Sequence, residues 1–127
     1  MKLILSALVC GMMLMAGASG ASARTSQPSY KADSDVYKVI FEDANFRVTQ
    51  VVRKKGVSDK PHSHLLPSTV YHVNDCKNRL YSADGKFIER DTKGGISSAT
   101  PVTASHSVEN IGASDCPQII VEKNRRD

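Results

Sequence analysis

The sequence predicts an all-β domain, either a sandwich or a barrel of short strands. Runs rich in β-branched and aromatic residues recur at regular spacing from Val36 to Val121, and glycine-containing turns separate them. No segment keeps an apolar period of 3.6 residues over three turns, as a surface helix would require. The fold class therefore follows from many short strands and from the lack of helical periodicity.

Each strand has its own signal. The predicted strands are Val36 to Phe41, Phe46 to Val52, Thr69 to Val73, the pair Leu80-Tyr81 and Phe87-Ile88, His106 to Ile111, and Gln118 to Val121. Asp84-Gly85 between the paired runs is a strong turn signal and predicts a hairpin. In the second strand Gln50 shares the apolar face with Phe46 and Val48, so we expect it to line a cavity.

The first 23 residues have the pattern of a secretory signal peptide. Lys2 precedes the apolar run Leu3 to Ala16, and the segment ends in the cleavage pattern Ala21-Ser22-Ala23. The run is shorter than the roughly 20 residues that a membrane-spanning helix needs. We therefore expect cleavage before Arg24, a periplasmic or secreted mature protein without a membrane segment, a flexible lead-in over 24–35, and a folded domain over 36–127.

The charge of the chain is mildly basic. The net charge is +4, and loss of Lys2 with the signal peptide leaves +3. The basic residues are scattered and are not interleaved with aromatic residues, so nucleic acid is not an expected partner. Small molecules remain the expected partner class.

Two cysteines remain after removal of the signal peptide. Cys76 and Cys116 form an even set, and an exported protein meets an oxidising environment. We expect a disulfide between them, with free thiols as the alternative. The bridge would close a loop of about 40 residues and would stabilise the fold by about 3–4 kcal/mol on the chain-entropy model.

The segment from Gly56 to His64 carries the first candidate site. His62 and His64 are one residue apart, so on a strand they point to the same face. Paired imidazoles are a common beginning of a metal site. Surface histidines beside a proline turn are the alternative that this pair alone leaves open.

A second segment supports the metal interpretation. Gly95, Pro101, His106 and Asn110 follow at fixed spacing. Together the two segments resemble the cupin superfamily, whose motifs are G-x5-H-x-H-x3,4-E-x6-G and G-x5-P-x-G-x2-H-x3-N. The resemblance spans about Val39 to Lys123. It implies a jelly-roll β-barrel, with His62, His64 and His106 as metal ligands at its centre.

The chain departs from the cupin pattern at two informative places. Ser68, or Thr69 with the longer spacing, stands where the family has a ligand glutamate, and Thr103 replaces the second-motif glycine. The resemblance therefore implies three imidazoles without an acidic fourth ligand. Such a site suits a divalent metal, either Zn, Fe, Cu, Ni or Mn, but is less typical of an oxygenase with a facial His-and-carboxylate set.

His72 shares strand parity with Ser68, so both are expected to line the pocket. Four residues along a strand span about 13 Å, which is too far for His72 to replace the missing glutamate. The resemblance also makes the strand near Ser68 and the last strand antiparallel neighbours, which would bring Cys76 close to Cys116. It leaves a homodimer open, because cupins often dimerise across a sheet edge.

Two functions fit these residues. The first is a metal-dependent enzyme acting on a small oxygenated molecule that coordinates the metal. The second is a non-catalytic module that captures a metal or small molecule. The missing glutamate and the lack of an evident general base favour the second, and the sequence identifies no catalytic residue.

Overall fold

The computed structural model describes residues 24–124 of the chain. This part contains nine strands and one short helix. The elements in chain order are α1 Ser29–Ala32, β1 Tyr37–Glu42, β2 Phe46–Arg53, β3 His62–His64, β4 Ser68–His72, β5 Cys76–Ser82, β6 Phe87–Thr92, β7 Ile96–Thr100, β8 Thr103–Asn110 and β9 Cys116–Lys123. The all-β prediction is confirmed.

The strands form two sheets that face each other. One sheet has five strands in the order β1-β2-β9-β4-β7, and the other has four in the order β3-β8-β5-β6. All strand pairs are antiparallel. Side chains from both sheets line one internal cavity, which is the arrangement of a jelly-roll barrel.

The predicted hairpin is present, whereas one strand has no counterpart in the sequence prediction. β5 and β6 pair around the turn that contains Gly85, whose φ of 83° favours glycine. The missed strand is β7, with the sequence Ile-Ser-Ser-Ala-Thr. It lacks the alternation of apolar and polar residues that marks a half-buried strand, so its pairing with β4 decides its structure.

The inward face of β2 is the opposite of the predicted one. Thr49, Val51 and Arg53 are buried, while Gln50 is exposed and does not line the cavity. The expectation for Gln50 is therefore wrong. Apolar residues normally mark the buried face of a strand. Here the buried face carries the charged Arg53, whose ion-pair partner also lies inside the barrel.

The lead-in at 24–35 is also different from the expectation. Instead of a free segment, it contains α1 and packs against the barrel. The amide of Ser63 donates to the carbonyl of Gln27, and the amide of Ser26 donates to the carbonyl of Ala104. Ser29 and Asp33 are buried as a result. These contacts cover the outer side of β3.

The predicted signal peptide, residues 1–23, lies outside the described residues. Over residues 24–124, no helix is long and apolar enough to cross a membrane.

Cys76 and Cys116 lie at disulfide distance, as the sequence predicts. Their Cα atoms are 5.6 Å apart, within the range of about 4.4–6.8 Å that disulfides adopt. Cys76 begins β5 in one sheet and Cys116 begins β9 in the other, so the bridge joins the two sheets. Residues 73–75 separate Cys76 from β4, the strand that contains Ser68, so Cys76 is not part of that strand.

Removing the bridge should destabilise the protein. The bridge connects residues 40 positions apart, and its loss should lower the free energy of unfolding by about 3–4 kcal/mol. Urea denaturation of the oxidised wild type and of the Cys76→Ser/Cys116→Ser double variant measures this. The reduced wild type should match the double variant, and equal stability of the oxidised and reduced wild type would argue against the bridge.

Candidate metal centre

Three histidines meet inside the barrel. His62 and His64 come from β3 and His106 comes from β8. One ring nitrogen of each lies within 4.8 Å of the others, and the ring centroids are 4.5–5.2 Å apart. His62 and His64 are buried, and His106 is partly buried. The cluster has the size and donor set of a metal site with three nitrogen ligands.

An irregularity in strand pairing places Thr103 on the same side of β8 as His106. His62 pairs with His106, but His64 pairs with Thr103, so two residues of β8 stand opposite one residue of β3. Such a bulge changes the direction in which neighbouring side chains point. Thr103 and His106 consequently both line the cavity although they are three positions apart, a spacing that puts residues of a regular strand on opposite faces.

Each histidine of the cluster has a ring nitrogen that is free to bind a further partner. Nδ1 of His62 donates to the carbonyl of Lys60 at 2.8 Å, so neutral His62 presents an unprotonated Nε2. Nε2 of His106 is buried and has no hydrogen-bond partner in the described part of the chain. The ring of His64 makes no hydrogen bond to residues 24–124 either. Buried ring nitrogens are costly without partners, so this arrangement fits a bound metal ion.

The electrostatic environment keeps the three imidazoles neutral. Burial lowers the pKa of His62, His64 and His106 from 6.5 to about 4. The neighbouring imidazoles of the cluster contribute to this lowering of the pKa, whereas Asp59 opposes it. Metal ligation requires neutral imidazole, so protons do not compete for these nitrogens at neutral pH.

A buried ion pair supports the cluster from behind. Nε of Arg53 donates to Oδ2 of Asp59 at 2.7 Å, and both side chains are almost fully buried. The hydroxyl of Tyr37 donates to the same Oδ2 at 2.7 Å and accepts a hydrogen bond from Arg53. Because Tyr37 has one hydroxyl proton, Nε2 of His62, 3.1 Å from this hydroxyl, keeps its lone pair.

The polar network continues from Arg53 along the cavity wall. Nη1 of Arg53 donates to the amide oxygen of Gln118 at 2.9 Å, and the amide nitrogen of Gln118 lies 3.1 Å from Nδ1 of His72. Nε2 of His72 lies 3.1 Å from the hydroxyl of Ser98. Both nitrogens of His72 are thus engaged, and His72 stands apart from the histidine cluster.

The cavity beside the cluster has a volume of about 280 Å³. His64, His72 and His106 line it, together with apolar side chains that include Val70 and Leu80. No Asp or Glu from residues 24–124 is part of its lining. Ser68 is also not part of it, so of the three residues expected in the pocket only His72 is found there.

The remaining motif residues have structural roles. Gly56 and Gly95 adopt φ values of 76° and 81°, a conformation that residues with a side chain rarely take. The amide of Asn110 donates to the carbonyls of Arg53 and Ser114, and its oxygen accepts from the amide of Gly112. These residues shape the turns that hold β3 and β8 in place.

The roles of Arg53 and Asp59 behind the cluster were not predicted from the sequence. Asp59 lies within the first motif segment, three positions before His62, and Arg53 ends β2. The buried Arg53 could have been suspected from the alternation of Arg47, Thr49 and Arg53 on one face. Only the tertiary structure shows which of the two faces of β2 points inward.

Loss of the buried carboxylate should be costly. Asp59→Asn removes the charge that compensates Arg53, and breaking a buried ion pair from one side costs about 3–5 kcal/mol. The exposed Asp91→Asn is the matched control and should change stability by less than about 0.5 kcal/mol. Urea denaturation at neutral pH compares the two variants; equal effects would contradict the role of Asp59.

The metal-free protein should lose stability in mild acid. The three pKa values are about 4 in the folded state and near 6.5 when unfolded, so between these values the unfolded chain binds more protons. Stability should therefore fall as the pH is lowered from 6.5 towards 4. Urea midpoints measured across this pH range give the slope of stability against pH. The slope should be smaller in a variant in which His62, His64 and His106 are all replaced by Gln.

Comparisons with known proteins identify the fold. No protein-family model matches the chain, and no curated protein matches it in sequence. A cupin domain from Bordetella pertussis has a TM-score of 0.65 at 18% identity, covering 71% of this chain and 93% of that chain. An RmlC-like cupin with a double-stranded β-helix fold from Methanocaldococcus jannaschii has a TM-score of 0.57 at 13% identity, covering 70% and 79%. A cupin 2 conserved barrel domain protein from Leptotrichia buccalis has a TM-score of 0.53 at 24% identity, covering 70% and 40%. The chain therefore has the cupin fold.

Proposed function

We propose that His62, His64 and His106 bind one divalent metal ion, and that this ion holds a small oxygenated molecule in the adjoining cavity. The observation that carries the proposal is the buried Nε2 of His106, which has no partner among residues 24–124 and faces two other neutral imidazoles. When bound, such an ion acts as a Lewis acid or activates water at its open positions. Three nitrogen donors suit Zn, Cu, Fe or Ni, and Mn remains a candidate.

The surrounding residues support the role of each ligand. The Lys60 carbonyl holds the tautomer of His62, and such a contact to the second ring nitrogen is typical of metal-binding histidines. Asp59 lies close to the same ring, with Oδ1 3.6 Å from Nδ1, and its charge is paired with that of Arg53. Val70, Leu80 and Val108 give the cavity apolar walls that limit access of water.

A non-catalytic function is the second candidate, and a specific feature of the cavity favours it. General acid–base chemistry needs a titratable group within reach of the reacting molecule. Among the described lining residues no carboxylate is present, and both nitrogens of His72 already have partners. Capture of a small molecule by the metal needs no such group.

We further propose that the mature protein acts outside the cytoplasm. The predicted leader at 1–23 supports export, and the pair of cysteines at disulfide distance is compatible with an oxidising compartment.

Metal content tests the proposed function directly. The mature protein from Arg24, purified without an affinity tag, should contain about one metal ion per chain by elemental analysis. His62→Ala and His106→Ala should each reduce this to background, because two imidazoles hold a metal far more weakly than three. His72→Ala is the matched control, since it removes a cavity histidine outside the cluster, and it should keep the metal.

Wild-type protein without metal above background, also after incubation with each candidate ion, would contradict the proposal. Loss of metal in His72→Ala alone would place the site elsewhere. If metal is present, turnover of small oxygenated molecules distinguishes the enzyme from the binding module.

A further inference from the structure

We propose that the cavity recognises a small hydroxy acid, with Arg90 binding its carboxylate and Asn78 binding its hydroxyl group. This deepens the proposed function, because it names the ligand class of the same cavity. Two features of the cavity favour such a ligand: the positive charge of its wall and one buried amide oxygen without a partner.

The cavity wall carries an uncompensated positive charge. Arg53 and Arg90 both line the cavity, but the charge of Arg53 is neutralised by Asp59. Arg90 lies in the exposed strand β6, lines the cavity at its open side, and makes no ion pair or hydrogen bond within residues 24–124. Its chain neighbours Glu89 and Asp91 alternate to the other face of β6, where Glu89 pairs with Arg79. An anion in the cavity would therefore meet one free guanidinium and no competing carboxylate.

A metal ion would add to this preference. Imidazole ligands are neutral when they bind a metal, so the three histidines would leave the charge of a divalent ion uncompensated. Both the cation of the wall and the proposed metal thus favour an anionic ligand. A carboxylate matches the planar, forked guanidinium of Arg90 in a bidentate geometry.

Asn78 indicates a second polar group on the ligand, next to the carboxylate. It lines the cavity and is only 4% exposed, and its Oδ1 has no partner in the described part of the chain. Asn78 lies directly opposite Arg90 in the β5–β6 pair, so their Cβ atoms are about 5 Å apart on one face. An amide oxygen accepts a hydrogen bond, so a hydroxyl beside the carboxylate is its complement.

This polar end lies apart from the histidine cluster. His106 stands opposite Ser82 of β5, whereas Arg90 stands opposite Asn78 of the same strand. Four residues along a strand span about 13 Å. Binding of the carboxylate at Arg90 and binding of a metal by the histidines therefore use different residues, which allows each to be tested without the other.

The test uses three probes and two variants. The probes are 2-hydroxybutanoate, 2-hydroxybutanamide, which lacks the charge, and butanoate, which lacks the hydroxyl. Binding is measured by calorimetry and by NMR shifts of the protein, both with metal and after removal of metal by a chelator. The variants are Arg90→Gln and Lys38→Gln, a matched loss of one positive charge at an exposed position of β1.

Metal-free wild type should bind 2-hydroxybutanoate about tenfold more tightly than the amide and more tightly than butanoate, because hydrogen bonds to a charged group are stronger than those between neutral groups. Arg90→Gln should lose the preference for the acid, and Lys38→Gln should keep it. Metal content should be unchanged in both variants.

Equal binding of acid and amide, or no saturable binding of the acid by metal-free protein, would overturn the inference. A preference for the acid that survives Arg90→Gln would also overturn it. If no metal is bound but the preference is present, the proposed function fails and this inference stands. If metal is bound but the preference is absent, the proposed function stands and this inference fails.

Discussion

The buried ion pair between Arg53 and Asp59 is the constraint on which the interior of the barrel depends. A charge inside a protein must be matched by a partner and by further hydrogen bonds. Both oxygens of Asp59 are used for this purpose: Oδ2 accepts from Arg53 and Tyr37, and Oδ1 accepts from the amide of Val108 at 2.6 Å. One carboxylate thereby ties β1, β2 and β8 to the loop that leads into β3, and that loop positions His62.

The interior is unusually polar for a domain of this size. Its apolar core consists of Val36, Tyr37, Val51 and Ile120, while charged and amide side chains fill much of the remaining space. A hydrogen-bonded chain extends from Tyr37 through Arg53 to Gln118, His72 and Ser98. A polar network is stable in a dry interior only where its members are satisfied. Six buried side-chain polar atoms of the described residues have no hydrogen-bond partner. Two of them, Nε2 of His106 and Oδ1 of Asn78, belong to cavity-lining residues and are the atoms to which we assign ligands.

The departure from the cupin motif has a structural counterpart. Where the family has a ligand glutamate, this chain has Ser68, and the cavity wall includes no acidic residue from the described range. Asp59 lies behind the cluster, where its charge is paired with that of Arg53, and it is not one of the donors that could hold a metal ion. A site of three neutral donors with a cationic wall differs from a His-and-carboxylate site in the charge that it offers to a ligand. That difference is the physical basis for proposing an acid as the bound molecule.

The sequence by itself determined the all-β class, the hairpin at Gly85 and the shared face of His62 and His64, because these follow from local periodicity and turn chemistry. Its even cysteine count favoured a bridge between Cys76 and Cys116 but left free thiols open. It did not determine which face of β2 is buried: Gln50 lies on the apolar face and yet points outward, since the buried charge of Arg53 finds its partner only in the folded chain. Nor could it reveal the bulge that turns His106 and Thr103 to the same side, or the pairing that places Arg90 opposite Asn78. Periodicity relates residues of one strand to each other, whereas the tertiary structure alone decides which strands face each other and which polar groups they leave without partners.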